Sequence, residues 1–218
     1  MWFDRLTTSV WGNMTKINKK EKLDILVTGV GGQGVVLASD IIGEAALAAG
    51  YDVKKTDTLG MAQRGGSVVS NVRIGPRIWS PMIKEGEAGL LLAFEKLEAA
   101  RWSHFLSPGG IALINNYEQP PLSVSLGQEK YPTNEEITAA LERRTDRIYL
   151  IDGNRRAQEL GNVRTLNILM LGCLSVFAPL DIDAWKESIS RRLPENIREI
   201  NLTAFEKGRE EMENVRIG

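Results

Sequence analysis

Histidine and cysteine, the side chains behind most metal and thiol chemistry, occur once each in 218 residues, as His104 and Cys173. A single cysteine excludes an internal disulfide. It also excludes a self-contained [4Fe–4S] cluster, which takes about four thiolates. A single histidine makes a His-rich zinc or iron centre untenable. Long apolar runs are missing as well, since no stretch reaches the roughly 18 residues of a spanning helix. So is an excess of charge of one sign. The 27 basic and 28 acidic residues leave a net charge of −1. Neither a nucleic-acid face nor a polybasic membrane patch is indicated. Residues 1–20 mix charge with tryptophan and lack the apolar centre of a signal peptide. These absences point to a cytoplasmic chain with no metal site of its own. Any redox centre it serves would sit elsewhere.

What is present begins with the stretch Lys22 to Gly50. Leu23, Ile25, Leu26, Val27 and Val30 read as a strand, and Gly29, Gly31, Gly32 and Gly34, with Gln33 among them, as a turn. Val35 to Ala49 reads as an apolar helix, with Gly50 as a left-handed stop. Four glycines in six positions let a ligand approach the main chain closely. The helix that follows leaves its first amides unpaired, which favours an anion. Two templates compete. Gly29 and Gly34 have the spacing of a phosphate-binding P-loop, but Val35 and Val36 stand where lysine and a hydroxyl residue are needed. Gly29, Gly31 and Gly34 satisfy the dinucleotide pattern G-x-G-x-x-G, which needs an acid about twenty residues on; Asp52 and Asp57 are available, and Asp57 is the better placed. The plain alternative is a tight strand-to-helix turn with no ligand.

The remaining chain alternates strand and helix signals. Residues 1–21 read as an amino-terminal arm, and residues 22–218 as a single domain. Asp52 to Thr58 is a strand, and Leu59 to Gly66 a polar loop. Ser67 to Ile74 alternates like a half-exposed strand, and Arg77 to Ser80 reads as a hairpin return. Ala88 to Phe94 is a buried strand ending at Glu95, Lys96 to Phe105 a helix, and Pro108 to Gly110 a turn. Ile111 to Ile114 and Arg147 to Ile151 are further strands. Between them Asn134 to Arg143 is a helix with a cap near Thr133. Val163 to Phe177, a helix capped by Asp183, and the face Ile197, Ile200, Ala204, Phe205, Gly208 and Met212 make a helical carboxy-terminal part. The expected fold is α/β and Rossmann-like: a parallel-rich sheet with helices on both faces.

Chemistry-bearing residues are few. Gln63, Arg64, Gly65 and Gly66 place a planar cation between flexible neighbours, suited to a phosphate or carboxylate or simply to solvent. Glu95, at the end of a buried strand, is an acid–base candidate or a cap, with Arg101 as its expected partner. His104 reads as a helix-end residue and Cys173 as a small buried hydrophobe. No Ser–His–Asp set is arguable, and no catalytic residue is assigned. The residues alone describe an anion-friendly α/β domain that works as a subunit or binding module.

The run Gly29-Val-Gly-Gly-Gln-Gly34 resembles the start of the gamma domain of 2-oxoacid:ferredoxin oxidoreductases. Gly60-Met-Ala-Gln-Arg-Gly-Gly-Ser-Val68 is more specific, and is similar to the beta subunit of the indolepyruvate enzymes. The likeness continues through Ser80-Pro81, Gly86-Glu-Ala88, Leu91 to Glu95, Glu98, Arg101, Leu160-Gly-Asn162, Asn167, Leu171-Gly172, Asn201 and Ala204-Phe205. One departure is Gly89, where the family often has aspartate. The resemblance implies oxidative decarboxylation of an arylpyruvate. Thiamine diphosphate, Mg²⁺ and [4Fe–4S] clusters would be held by a large alpha subunit, ferredoxin would take the electrons, and coenzyme A the acyl group. It implies a hetero-oligomer in which this chain holds no cofactor alone. Gly29, Gly31, Gly32, Gln33, Gly34, Gln63, Arg64, Gly65, Gly66 and Glu95 are then expected to face the substrate or cofactor. A stand-alone nicotinamide or flavin oxidoreductase, and a non-catalytic anion or nucleotide sensor, are the other readings.

Overall fold

The computed structural model describes residues 22–59 and 65–215. Six strands form one sheet: β1 (Leu23–Val30), β2 (Asp52–Leu59), β3 (Ser67–Gly75), β4 (Ala88–Ala93), β5 (Leu106–Asn115) and β6 (Ile148–Ile151). Their order is β2-β3-β1-β4-β5-β6. β1, β4, β5 and β6 are parallel neighbours, while β3 runs antiparallel to both β1 and β2. The sheet is therefore mixed and mostly parallel, as the alternating pattern implies.

Eight helices occur among the described residues: α1 (Val35–Ala48), α2 (Lys96–Trp102), α3 (Leu122–Ser125), α4 (Asn134–Glu142), α5 (Gly153–Glu159), α6 (Leu166–Ser175), α7 (Ile182–Arg192) and α8 (Glu195–Val215). Successive strand residues point to opposite faces. Ile25 and Val27, Leu90 and Leu92, and Ile111 and Leu113 join the larger core, beneath α1, α6, α7 and α8. Leu26, Leu91, Ala93, Ala112 and Ile114 join the smaller one, with Ala99 of α2 and Ile137 and Leu141 of α4. Burial on both faces explains why the central strands read as unbroken apolar runs.

Several local expectations are corrected. β3 is buried along nearly its whole length rather than half-exposed. Its polar residues are paired inside: Arg73 forks onto Asp24 at 3.0 and 3.2 Å, and Asn71 Oδ1 accepts from Ile83 N–H at 3.2 Å. Alternation of polar and apolar residues thus marked a paired interior rather than a wet face. Residues 77–80 form no returning strand; Arg73 instead donates to the carbonyls of Ser80 and Met82 and holds that segment down. Pro108 to Gly110 lies inside β5, where the pairing with β4 jumps from Ala88↔Leu106 to Leu90↔Ile111. A bulge accommodates the proline there. The helix expected over Lys96 to Phe105 ends at Trp102 and tightens to a 3₁₀ turn. α7 begins at Ile182 with Asp181 at the N-cap, two residues before the expected cap Asp183. The α4 cap is a capping box between Thr133 and Glu136.

Candidate functional site

The ends of β1 and β4 and the start of β3 meet at one edge of the sheet. Pairing of Gly29 with Val68 and of Val30 with Ser67 brings the two glycine runs side by side. Gly31 N–H donates to the Gly66 carbonyl at 2.8 Å, so backbone joins them directly. Gly29 is there for close packing: a β-carbon would lie 2.7 Å from Gln33 Oε1 and 3.1 Å from Phe94 Cβ. Gln33 closes the turn, since its Oε1 accepts from Val30 N–H at 2.8 Å. Gly34, at φ +83°, is the N-cap of α1 and supplies no side-chain cap.

Glu95 stands at the end of β4, 1% exposed, and caps α2. Its Oε2 accepts from Glu98 N–H at 2.8 Å, and its Oε1 from Gln119 N–H at 3.1 Å and from the Tyr131 hydroxyl. Burial first, and then the bond to Glu95, push the Tyr131 hydroxyl pKa upward. Gln119 also accepts from Gln33 Nε2 at 3.3 Å, which links Glu95 to the glycine turn. Arg101, the expected partner, does not reach Glu95. It lies 3.5 Å from Glu98 instead. Six residues along a helix fall on different faces, whereas three share one.

Glu98 is the second buried carboxyl, 4% exposed. It accepts from the Ser67 hydroxyl, which also receives Trp102 Nε1 at 3.4 Å. Burial raises the Glu98 pKa above its ordinary 4.5; Ser67 and Arg101 pull it back, and Glu95 adds to the rise. This pair ties the start of β3, directly after Gly66, to α2.

The edge thus gathers Gly29, Gly31, Gly32, Gln33, Gly34, Gly65, Gly66 and Glu95. Gln63 and Arg64 lie outside the described residues. Sequence reading left Ser67, Glu98, Gln119, Tyr131 and Asn167 out of the site. Ser67 opens β3, Glu98 lies in the first turn of α2 and Asn167 near the start of α6, none of them at a capping position. Gln119 and Tyr131 lie in an irregular segment with no periodic signal.

The dinucleotide reading fails on topology. It needs Asp57 on the strand next to β1, but β3 is inserted between, so β2 stands two strand spacings away, roughly 9.5 Å. Asp57 is also engaged: Oδ1 accepts from Ser70 at 2.6 Å and Oδ2 from Lys55 at 2.9 Å. Cys173 is wholly buried, and desolvation with the nearby Glu211 raises its thiol pKa, so it is no ready nucleophile. Among the described residues no group of three His, Cys, Asp or Glu could hold a metal. With one cysteine in the sequence, the donor set does not fit an iron–sulfur cluster. No described helix is long and apolar enough to cross a membrane.

The family model for pyruvate ferredoxin/flavodoxin oxidoreductase matches residues 24–211, nearly all of this frame and every element of the edge. The chain belongs to the pyruvate ferredoxin/flavodoxin oxidoreductase family. Within it, the indolepyruvate oxidoreductase subunit IorB of Pyrococcus horikoshii is 38% identical over 191 residues, covering 86% of this chain and 95% of the relative. The crystal structure of the keto/oxoacid ferredoxin oxidoreductase gamma subunit from Geobacter sulfurreducens superposes with a TM-score of 0.66 at 25% identity, over 88% of this chain and 99% of that one. The 2-oxoglutarate:ferredoxin oxidoreductase of Magnetococcus marinus, solved with 2-oxoglutarate, coenzyme A and succinyl-CoA bound, has the same fold in 32% of its chain. That match covers 89% of the present one, with a TM-score of 0.69 and 21% identity. Family members of this size are thus named as subunits, and the fold also occurs as one part of a longer chain.

Proposed function

We propose that this chain is the small, gamma-type subunit of an arylpyruvate (indolepyruvate-like):ferredoxin oxidoreductase, acting only in complex with a large subunit. The observation that carries this is the backbone bond from Gly31 to Gly66. It sets an open helix N-terminus beside Gly66, two positions after Arg64 in sequence, in a chain 38% identical to an indolepyruvate oxidoreductase subunit over most of its length. One cysteine does not fit a cluster and no described group of residues fits a metal, so in this reading the large subunit brings thiamine diphosphate, Mg²⁺ and [4Fe–4S] groups. Those groups supply decarboxylation and electron transfer to ferredoxin when bound. This chain supplies binding and orientation. The first turn of α1 and Arg64 hold an anionic group of coenzyme A or of the oxoacid. Gln33, Gln119 and Glu95 keep the turn in one shape, and Ser67 with Glu98 fixes the start of β3.

The test is Arg64→Ala in the enzyme purified anaerobically with its large subunit. Arylpyruvate- and coenzyme-A-dependent viologen reduction is measured. The KM for coenzyme A or for the oxoacid should rise about tenfold, as for loss of one charge-assisted contact. Unchanged KM values for both would sink the assignment of Arg64. Failure to recover any large, iron–sulfur-containing partner would sink the subunit reading.

A further inference from the structure

Glu95 is held in a way that acid–base chemistry does not call for. It is buried, and both of its oxygens are taken. Oε2 accepts from Glu98 N–H, and Oε1 from Gln119 N–H and from the Tyr131 hydroxyl. A buried carboxyl with three donors is a fixed post rather than a reacting group. Two of those donors come from the stretch between β5 and α4. Residues 117–121 and 130–133 there belong to no helix or strand. No ladder of its own holds this stretch, so its place is set by bonds to the start of α2. Lys96 adds to them: its N–H donates to the Tyr117 carbonyl at 3.0 Å, and its Nζ to Asn134 Oδ1 at 2.7 Å.

From Gln119 the bonds run on to the glycine turn. Gln119 Oε1 accepts from Gln33 Nε2 at 3.3 Å, and Gln33 Oε1 accepts from Val30 N–H at 2.8 Å. A backbone N–H only donates, so the Val30 bond fixes which end of the Gln33 carboxamide is oxygen. Turned over, Gln33 would set its NH₂ against Val30 N–H, donor against donor, and the bond that closes the turn would be lost. The Gln119 oxygen opposes that rotation while Gln119 itself stays in place. Its N–H is bonded to the same carboxylate oxygen that the Tyr131 hydroxyl holds. Burial, and then the bond to Glu95, raise the Tyr131 pKa, so this hydroxyl keeps its proton and remains a donor.

We propose that Tyr131 is a positioning residue for the reaction, acting through Glu95 and Gln119 to hold the Gln33 carboxamide in the one orientation that closes the glycine turn. This rests on the reading of the chain as the small subunit of an arylpyruvate enzyme with that turn towards the substrate, and adds to it a residue that does not touch the turn. Tyr131 fixes Glu95 Oε1, Oε1 fixes the Gln119 backbone, and the Gln119 side chain fixes Gln33. Glu95 then has a role at the end of its buried strand without giving up or taking a proton. The irregular stretch before α4 serves as a strap across the sheet edge.

The test uses the enzyme purified anaerobically with its large subunit. It compares Tyr131→Phe, Gln119→Leu, Gln119→Glu and the double variant Tyr131→Phe/Gln119→Leu. Viologen reduction with an arylpyruvate and coenzyme A is measured alongside thermal unfolding. Tyr131→Phe should raise the KM for coenzyme A or for the oxoacid about fivefold, the worth of one hydrogen bond. Its kcat should change by less than about twofold. Gln119→Leu should do the same, whereas Gln119→Glu keeps an oxygen for Gln33 Nε2 and should restore the wild-type KM. The double variant should be no worse than Gln119→Leu, since both act along one path. A purely structural Tyr131 lowers the unfolding temperature and leaves both KM values as in wild type, which overturns the proposal. Full additivity in the double variant overturns it too. If Tyr131→Phe does not assemble, the Gln119 variants decide: a raised KM in Gln119→Leu that Gln119→Glu restores supports the path, and wild-type values in both overturn it. A raised KM in Arg64→Ala with wild-type values in Tyr131→Phe sinks the positioning role alone, and absence of a large partner sinks both readings.

Discussion

At the crossing of α6 and α8, Gly172 and Gly208 have no left-handed backbone, and neither lies in a glycine-rich run. A β-carbon on Gly172 would lie 2.0 Å from the Phe205 carbonyl oxygen, and one on Gly208 would lie 1.8 Å from that of Leu169. The two helices touch backbone to backbone there, and the Cys173 thiol donates to the Gly208 carbonyl at 3.1 Å. At the turn before α1 the need is different. Gly32 and Gly34 have φ of +103° and +83°; a β-carbon on Gly32 would meet nothing within 4 Å, and one on Gly34 only the Asn167 side chain. One region uses glycine to remove a side chain from a dry core, the other to hold a conformation at a wet edge. The same residue type is therefore a packing device in one place and a conformational device in the other.

The comparison is broken most directly by alanine. Gly208→Ala should destabilise the chain by roughly 3 kcal/mol or more, because the clash is with backbone that cannot rotate away. A loss below about 0.5 kcal/mol in thermal or urea unfolding would show that the helices can separate at little cost. Gly34→Ala should be intermediate, about 2 kcal/mol, from left-handed strain plus displacement of Asn167. Gly32→Ala, strained but unobstructed, should cost about 1 kcal/mol. If Gly32→Ala proved as costly as Gly208→Ala, conformation rather than packing would set the scale.

The polar cluster under α2 sharpens the contrast through pH. The Glu98 carboxyl has a raised pKa in the folded chain, chiefly through burial, so the native state binds its proton more tightly than the unfolded state does. Its contribution to stability is greatest below about pH 4.5, falls as pH rises through the window up to the raised value, and is constant above it. Glu98→Gln keeps an acceptor for Ser67 and removes the titration. Its stability relative to wild type should therefore increase across that window and level off. A parallel pair of pH–stability curves for the two chains would mean that Glu98 is not perturbed by burial.

Much of the fold was legible because its signals are local. The apolar strand, glycine cluster and helix of residues 23–50, and the capping box at Thr133, depend on neighbours within a few positions. Glu95 was legible as the end of a buried strand. Its partners were not, because Tyr131 and Gln119 come from an irregular segment and Arg101 lies on another face of α2. β3 was misjudged for a related reason: alternation marks two faces but does not tell whether water or protein lies beyond the second.

By itself, then, the sequence determined the alternation of strands and helices, the glycine turn with its open helix end, and the lack of any donor set for a cluster. It also carried the family pattern in order along the chain. Tertiary structure alone decided that β3 enters between β2 and β1, which removed Asp57 from the turn and joined Gly31 to Gly66. It alone placed Asn167 over Gly34 and brought Gly172 and Gly208 against opposing backbone. Local propensity and periodicity act over one or two turns of chain, whereas strand order and close approach depend on which distant surfaces exclude water together.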